Sequence, residues 1–309
     1  MRRLRISAIW YLNTAPLMWN FEHGAAGADF EISYTVPSGC AAALREGTAD
    51  IGIIPSAAYA SIPDLLIIPG IAIASLRAVR SILLVSKVPL SAIRRVALDT
   101  SSLTSAALTK VLFEKWWGKG RIFHTMAPDL DAMLQEHDAG LVIGDPALRV
   151  NRSRYLTYDL AEEWLGLTGK PFVFAFWAVR RDALEHAPPE LDLGTVFQGS
   201  RDRGLQRQNL DTIAHEWAAR VGLSESEVNA YLTENIHYQL DSACLEGLRL
   251  FYRYAAEVGA LPQAPAVRFL AAVPTHLQRA QQRTRKMVGG ERSLVDELIS
   301  ERRESAKHE

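Results

Sequence analysis

The run Ser81-Ile82-Leu83-Leu84-Val85-Ser86 carries no polar alternation. A strand of that kind is buried on both faces, as in a sheet covered by helices, and looks central. Asp50-Ile51-Gly52-Ile53-Ile54, Ala139-Gly140-Leu141-Val142-Ile143-Gly144 and Phe172–Val179 have the same character. Helix signals separate such runs. In the stretch from Pro37 to Gly47, Ser38 is a candidate N-cap and Gly47 a stop. Residues 1 to about 60 therefore read strand, helix, strand, helix, strand, helix, which is a parallel α/β pattern.

The first strand starts near Arg5 and is expected to end near Asn13. Pro16 has no N–H for a sheet and biases Ala15 toward extended backbone. In open α/β sheets ligands bind at the carboxyl edge of the strands, so Asn13 is a candidate site residue. The plain alternative is an Asn in a turn that ends a strand.

A second unit repeats the scheme. Val96-Ala97-Leu98 is a strand, and Asp99-Thr100-Ser101-Ser102-Leu103-Thr104-Ser105 leads into a helix from Ala106 to Trp117. Strand Arg121–Met126, a short helix from Pro128 to Glu136, strand Ala139–Gly144 and a turn into a helix at Asp145 follow. If Ser81–Val88 and Phe172–Val179 are crossovers, two lobes face each other across a cleft. Residues 1–88 with 180–290 form the first lobe, residues 89–179 the second, and residues 291–309 a charged helical tail. Beyond Leu205 the pattern is helical: Leu205–Val221, closed by Gly222, then Glu225–Thr233, capped by Ser224, then Ser242–Val258.

The hydroxyl-rich loop from Asp99 to Ser105 is the strongest local signal. One Ser or Thr suffices for an N-cap, whereas this loop supplies Thr100, Ser101, Ser102, Thr104 and Ser105. Free backbone N–H groups at a helix start, with such donors, suit a carboxylate or phosphate. Ser38, Ser56 and Asp145 also follow predicted strands, so polar groups from both lobes converge on one sheet edge. Each alone is an ordinary cap.

Other chemistries find no support. The chain has 309 residues, 48% of them hydrophobic, and a formal net charge of −1, which gives no basic field for nucleic acid or a membrane surface. No segment reaches the roughly 18 apolar residues of a membrane span, and the basic start is a poor secretion signal; a cytoplasmic location is expected. Cys40 and Cys244 lie far apart, and the eight histidines show no metal-binding spacing. His124 reads as a satisfied strand histidine. There is no phosphate-loop glycine motif and no G-x-S-x-G nucleophile turn.

Tyr11-Leu12-Asn13-Thr14-Ala15-Pro16-Leu17, then Pro37-Ser38, then Asp50-Ile51-Gly52 with Ile54-Pro55-Ser56, resemble the chorismate dehydratases of the futalosine route to menaquinone. Val96–Asp99 with Ser101-Ser102 and Thr104-Ser105, Leu141–Asp145, and Gly169–Ala175 with Trp177 resemble the same family, so the likeness runs in order from about residue 5 to 180. It implies the two-lobed fold of type II periplasmic binding proteins, α/β with a helical C-terminal part. It also implies a cofactor-free reaction that removes water from a small-molecule substrate, chorismate, to give 3-[(1-carboxyvinyl)oxy]benzoate. The substrate's own enolpyruvyl carboxylate would be the base, and the protein would position it and bond the developing charge.

By this resemblance Asn13 is the catalytic amide and Ser81 the assisting hydroxyl. Ser102, Thr104 and Ser105 would hold a carboxylate, with Ser38, Ser56, Gly144 and Asp145 at the same edge. Arg80 receives no role. Two readings compete: a carboxylate-binding protein of the same fold, and the naphthoate-forming synthase of the same pathway. The synthase carries an S-P-C-P-N-D type motif where this chain has Y-L-N-T-A-P-L.

Overall fold

A computed structural model describes residues 2–188 and 190–271. The charged tail at 291–309 lies outside the described residues. The first part of the chain forms β1 (Leu4–Ile9), α1 (Ala15–His23), β2 (Phe30–Thr35), α2 (Pro37–Glu46), β3 (Ile51–Pro55) and β4 (Leu65–Ser75). The second forms β5 (Ile82–Ser86), β6 (Arg95–Asp99), α3 (Leu103–Leu112), β7 (Ile122–Met126), α4 (Leu130–Glu136), β8 (Ala139–Ile143), α5 (Asp145–Leu148), β9 (Leu156–Asp159) and α6 (Leu160–Thr168). The chain then runs through β10 (Phe172–Arg180), α7 (Leu193–Gly204), α8 (Arg207–Val221), α9 (Glu225–Ala230) and α10 (Ser242–Glu257).

Among the described residues ten strands make two five-stranded sheets, ordered β2-β1-β3-β10-β4 and β7-β6-β8-β5-β9. The plan is the same in both. Three strands are parallel to one another, and the fourth is antiparallel to its neighbours on either side. β5 is therefore interior, as its unbroken apolar run requires, and it pairs within the second sheet. The two apolar crossover segments occupy equivalent places, β10 in one sheet and β5 in the other.

Apolar burial is continuous from one sheet to the other. Trp164 and Phe251 pack edge-on against the ring of Phe172 on β10, tying α6 and α10 to the first sheet. At the other end of the first sheet, Asp50 joins the strands electrostatically. Burial alone would raise its pKa, but hydrogen bonds from Arg2 and Arg5 prevail and hold it well below the usual carboxylate range. No helix among the described residues is long and apolar enough to cross a membrane.

Several local expectations need correction. β1 ends at Ile9, not near Asn13, and a tight turn over Leu12–Thr14 leads directly into α1. Ala15 is helical (φ −53°, ψ −44°) and Pro16 is the helix's second residue. There the missing N–H costs nothing, because first-turn N–H groups have no helical acceptor. The same logic moves the start of α2: Pro37 takes its first position and Val36 the cap, so Ser38 is inside the helix. α3 begins at Leu103, three residues before the predicted start, which places Thr104 and Ser105 in its first turn. β9, α6 and α7 carried no readable pattern. β9 is a short, partly exposed edge strand, and α7 holds Gly194, Gly199 and Gly204.

Candidate functional site

The cleft lies between the carboxyl ends of the two sheets, and Ile9, Asn13, Ile73, Ile82, Ser102 and Phe174 are among its walls. The space between these walls, part of it open to solvent, is about 470 Å³. Most of its surface is apolar, so the few polar groups that reach it decide what it can hold.

Asn13 is one of them. The turn that carries it is closed by the Thr14 N–H donating to Tyr11 O at 2.9 Å. It is pinned from the opposite lobe, because Leu12 N–H donates to the Asp145 carboxylate at 3.1 Å. The Asn13 side chain is buried, and among the described residues its carbonyl receives only a long bond from Thr14 Oγ1, 3.4 Å.

The start of α3 supplies the others. Asp99 accepts both the N–H and the hydroxyl of Ser101, at 2.8 and 2.6 Å, which folds the loop into a tight turn. Burial pushes the Asp99 carboxyl up, and its second oxygen has no partner among the described residues. Ser102 occupies the cap position of α3 but makes no capping bond. Among the described residues the first-turn N–H groups therefore find no acceptor, and Ser102 and Ser105 line the opening beside them.

Thr104 differs from its neighbours. Its hydroxyl accepts Ala57 N–H at 3.1 Å and donates to Phe174 O at 3.1 Å, so it ties α3 to the first sheet although it lines the cleft. Ser56 is also committed, donating to Val173 O at 2.8 Å, and it lies outside the cleft wall. Ser38 is absent from the wall too; its backbone N–H donates to Ser101 O at 3.2 Å, another bond between the lobes. Gly144 does line the cleft. Its φ of +65° is open to glycine, and a Cβ there would stand 2.7 Å from the Tyr11 ring.

Asp145, next in the chain, is spent on Leu12 rather than on the cleft. Burial raises its pKa to about 6, while the Leu12 N–H and the charges of Arg149 and Arg220 oppose the rise. Ser81 is fully buried just before β5 and, among the described residues, its neighbour Ile82 rather than Ser81 itself lines the cleft. Its hydroxyl accepts the phenol of Tyr231 at 2.8 Å, and its carbonyl accepts Gly144 N–H at 2.8 Å. Arg80, beside it, stands in the left-handed region at φ +63°, with its N–H donated to Asp159 at 2.7 Å.

Sequence reasoning missed Tyr231 and Asp159. Asp159 begins α6, which carried no legible start, and Tyr231 lies on a helix read only for its apolar spacing. One cluster of possible metal ligands occurs among the described residues: His237, Asp241 and Cys244. Helix capping accounts for it. Asp241 accepts Cys244 N–H and His237 Nε2–H, both at 2.8 Å, and burial pushes the Cys244 thiol up to about 12. His124 in turn shares a 2.8 Å hydrogen bond with His137.

The solved structures that resemble this one share its fold. The Escherichia coli periplasmic aliphatic sulphonate-binding protein SsuA aligns with a TM-score of 0.61 at 18% identity, covering 88% of this chain and 93% of that one. An Archaeoglobus fulgidus protein aligns equally well, at 17% identity over 84% of this chain and 98% of its own. The architecture is thus that of the periplasmic binding proteins, as expected. Among curated proteins, the chorismate dehydratase of Thermus thermophilus is 31% identical over 273 residues, 82% of this chain and 94% of that enzyme. A family model described as menaquinone biosynthesis matches residues 4–257, and the chain belongs to that family.

Proposed function

We propose that this member of the menaquinone-biosynthesis family is a lyase that eliminates water from chorismate, giving 3-[(1-carboxyvinyl)oxy]benzoate. The observation that carries the reading is the composition of the cleft. It offers an amide, hydroxyls and the unmet N–H groups of α3, and among the described residues neither a histidine nor a lysine lines it. That set binds and orients a dianion but supplies no strong base. The reaction needs none if the substrate's enolpyruvyl carboxylate takes the C3 proton while the 4-hydroxyl leaves and the ring becomes aromatic.

In this reading the α3 start, with Ser102 and Ser105, holds a carboxylate through helix-end donors. Asn13 donates to charge developing in the transition state, and Ser81 to the departing oxygen. The apolar walls exclude water and strengthen both interactions. Two free, buried cysteines suit the reducing cytoplasm.

The test is to incubate the purified chain with chorismate, without added metal or nucleotide, and follow products by chromatography. Appearance of the enolpyruvyl benzoate supports the reading. Chorismate bound but unchanged would make the protein a carboxylate binder on the same fold.

A further inference from the structure

Tyr231 reaches the Ser81 position from the far end of the chain. It opens a widened turn, Tyr231–Asn235, that continues α9. Turns of this type inside helices are frequent at functional sites. The Tyr231 hydroxyl donates to Ser81 Oγ at 2.8 Å. Four residues later, Asn235 Nδ2 donates to Ala78 O at 2.9 Å. One turn of helix thus holds both ends of the segment from Ala78 to Ser81.

That segment requires holding. Arg80 adopts a left-handed backbone that a non-glycine residue rarely takes, and Asp159 secures it by accepting the N–H groups of Val79 and Arg80 at 3.1 and 2.7 Å. Gly144 N–H fixes the Ser81 carbonyl. The backbone of Ser81 is therefore set by the second lobe, and its side chain by Tyr231.

We infer that Tyr231 is a positioning residue for the elimination: by donating to Ser81 Oγ it fills an acceptor site of that hydroxyl and directs the serine's own proton toward the departing oxygen. The inference rests on the reaction proposed above. A serine hydroxyl has one proton to give, and an O–H already accepting from a neighbour is a stronger donor. In the step, the C3–H bond breaks toward the substrate carboxylate and its electron pair becomes the new ring double bond. The C4–O bond breaks with its pair on oxygen, where the Ser81 O–H meets the charge. The proton held by the carboxylate then completes water. Tyr231 keeps its own proton throughout, since burial holds its phenol well above the ordinary value.

The experiment is a double-mutant cycle on the full chain, measuring kcat and KM for chorismate in wild type, Tyr231→Phe, Ser81→Ala and the pair. Removing the Tyr231 hydroxyl is expected to lower kcat about tenfold, less than direct loss of a transition-state donor, with KM within about twofold. In the Ser81→Ala background the same change should alter kcat by less than about twofold. Equal losses in both backgrounds, or an unchanged kcat in the single variant, overturn the inference. Should Tyr231→Phe fail to fold, 3,5-difluorotyrosine at position 231 keeps the ring and strengthens the donor. A changed kcat then supports the inference and an unchanged one overturns it. Wild type that leaves chorismate intact overturns the proposed reaction and this inference together, whereas active wild type with an inert Tyr231→Phe change overturns this inference alone.

Discussion

The carboxylate of Asp145 in the second lobe accepts the backbone N–H of Leu12 in the first at 3.1 Å, and burial raises its pKa to about 6. An acid that binds its proton more tightly folded than unfolded contributes most to stability below its unfolded pKa of about 4, and loses that contribution as pH rises toward 6. Asp145→Asn retains the acceptor oxygen and cannot ionise. The melting temperature of the variant relative to wild type should climb between about pH 4 and 6 and then level off. A difference that does not vary with pH, measured by calorimetry, would mean that Asp145 ionises as freely in the native state as in the unfolded chain.

Thr104 should behave as a structural residue. Its hydroxyl serves Ala57 N–H and Phe174 O, so Thr104→Val leaves both backbone groups without a partner. A loss of about 2 kcal/mol in denaturant unfolding is expected, with KM for chorismate moved less than about twofold. A large rise in KM at unchanged stability would return Thr104 to the substrate.

Gly144→Ala combines two penalties. The backbone is at φ +65° and ψ −148°, and the new methyl group would stand 2.7 Å from the Tyr11 ring. A cost of at least about 2 kcal/mol is expected, together with a lower kcat/KM, because Tyr11 must move in the cleft wall. Wild-type thermal stability in this variant would show that the loop has another conformation available.

Asn13→Ala removes a buried amide whose carbonyl receives a long hydrogen bond from Thr14 Oγ1. Turnover of chorismate should fall at least about a hundredfold while the melting temperature shifts by only a few degrees. Parallel losses in both would assign Asn13 to the turn instead.

The strands were the legible part of the fold because fully buried runs such as Leu83-Leu84-Val85 and Phe174-Ala175-Phe176 have few alternatives. Gly47, Gly222 and Ser224 marked their helix ends correctly, each through a local interaction. Pro16 and Pro37 misled, since a proline reads equally as the end of a strand or the start of a helix. α7 was hidden in part because Gly204 serves a neighbour: a Cβ there would lie 2.0 Å from Pro16 O on α1.

Within the site, sequence located the hydroxyl loop and Asn13, and the structure brings both to the cleft. It could not separate Thr104 from Ser102 and Ser105. All three are hydroxyls in one loop, and only the partner across the lobes, Phe174 O for Thr104, distinguishes them. Tyr231 lay beyond reach for the same reason, since its partner Ser81 is 150 residues away.

The place of β10 between β3 and β4 sets a timetable for synthesis. Ile51–Pro55 and Leu65–Ser75 emerge from the ribosome early, yet the strand that joins them arrives only with Phe172–Arg180. Until then the first sheet is two separate pieces with open edges, while every strand of the second sheet has already been made. The lobe encoded in the middle of the chain can close first, and the lobe that begins the chain must wait for it, a reversal of the usual N-terminal-first order.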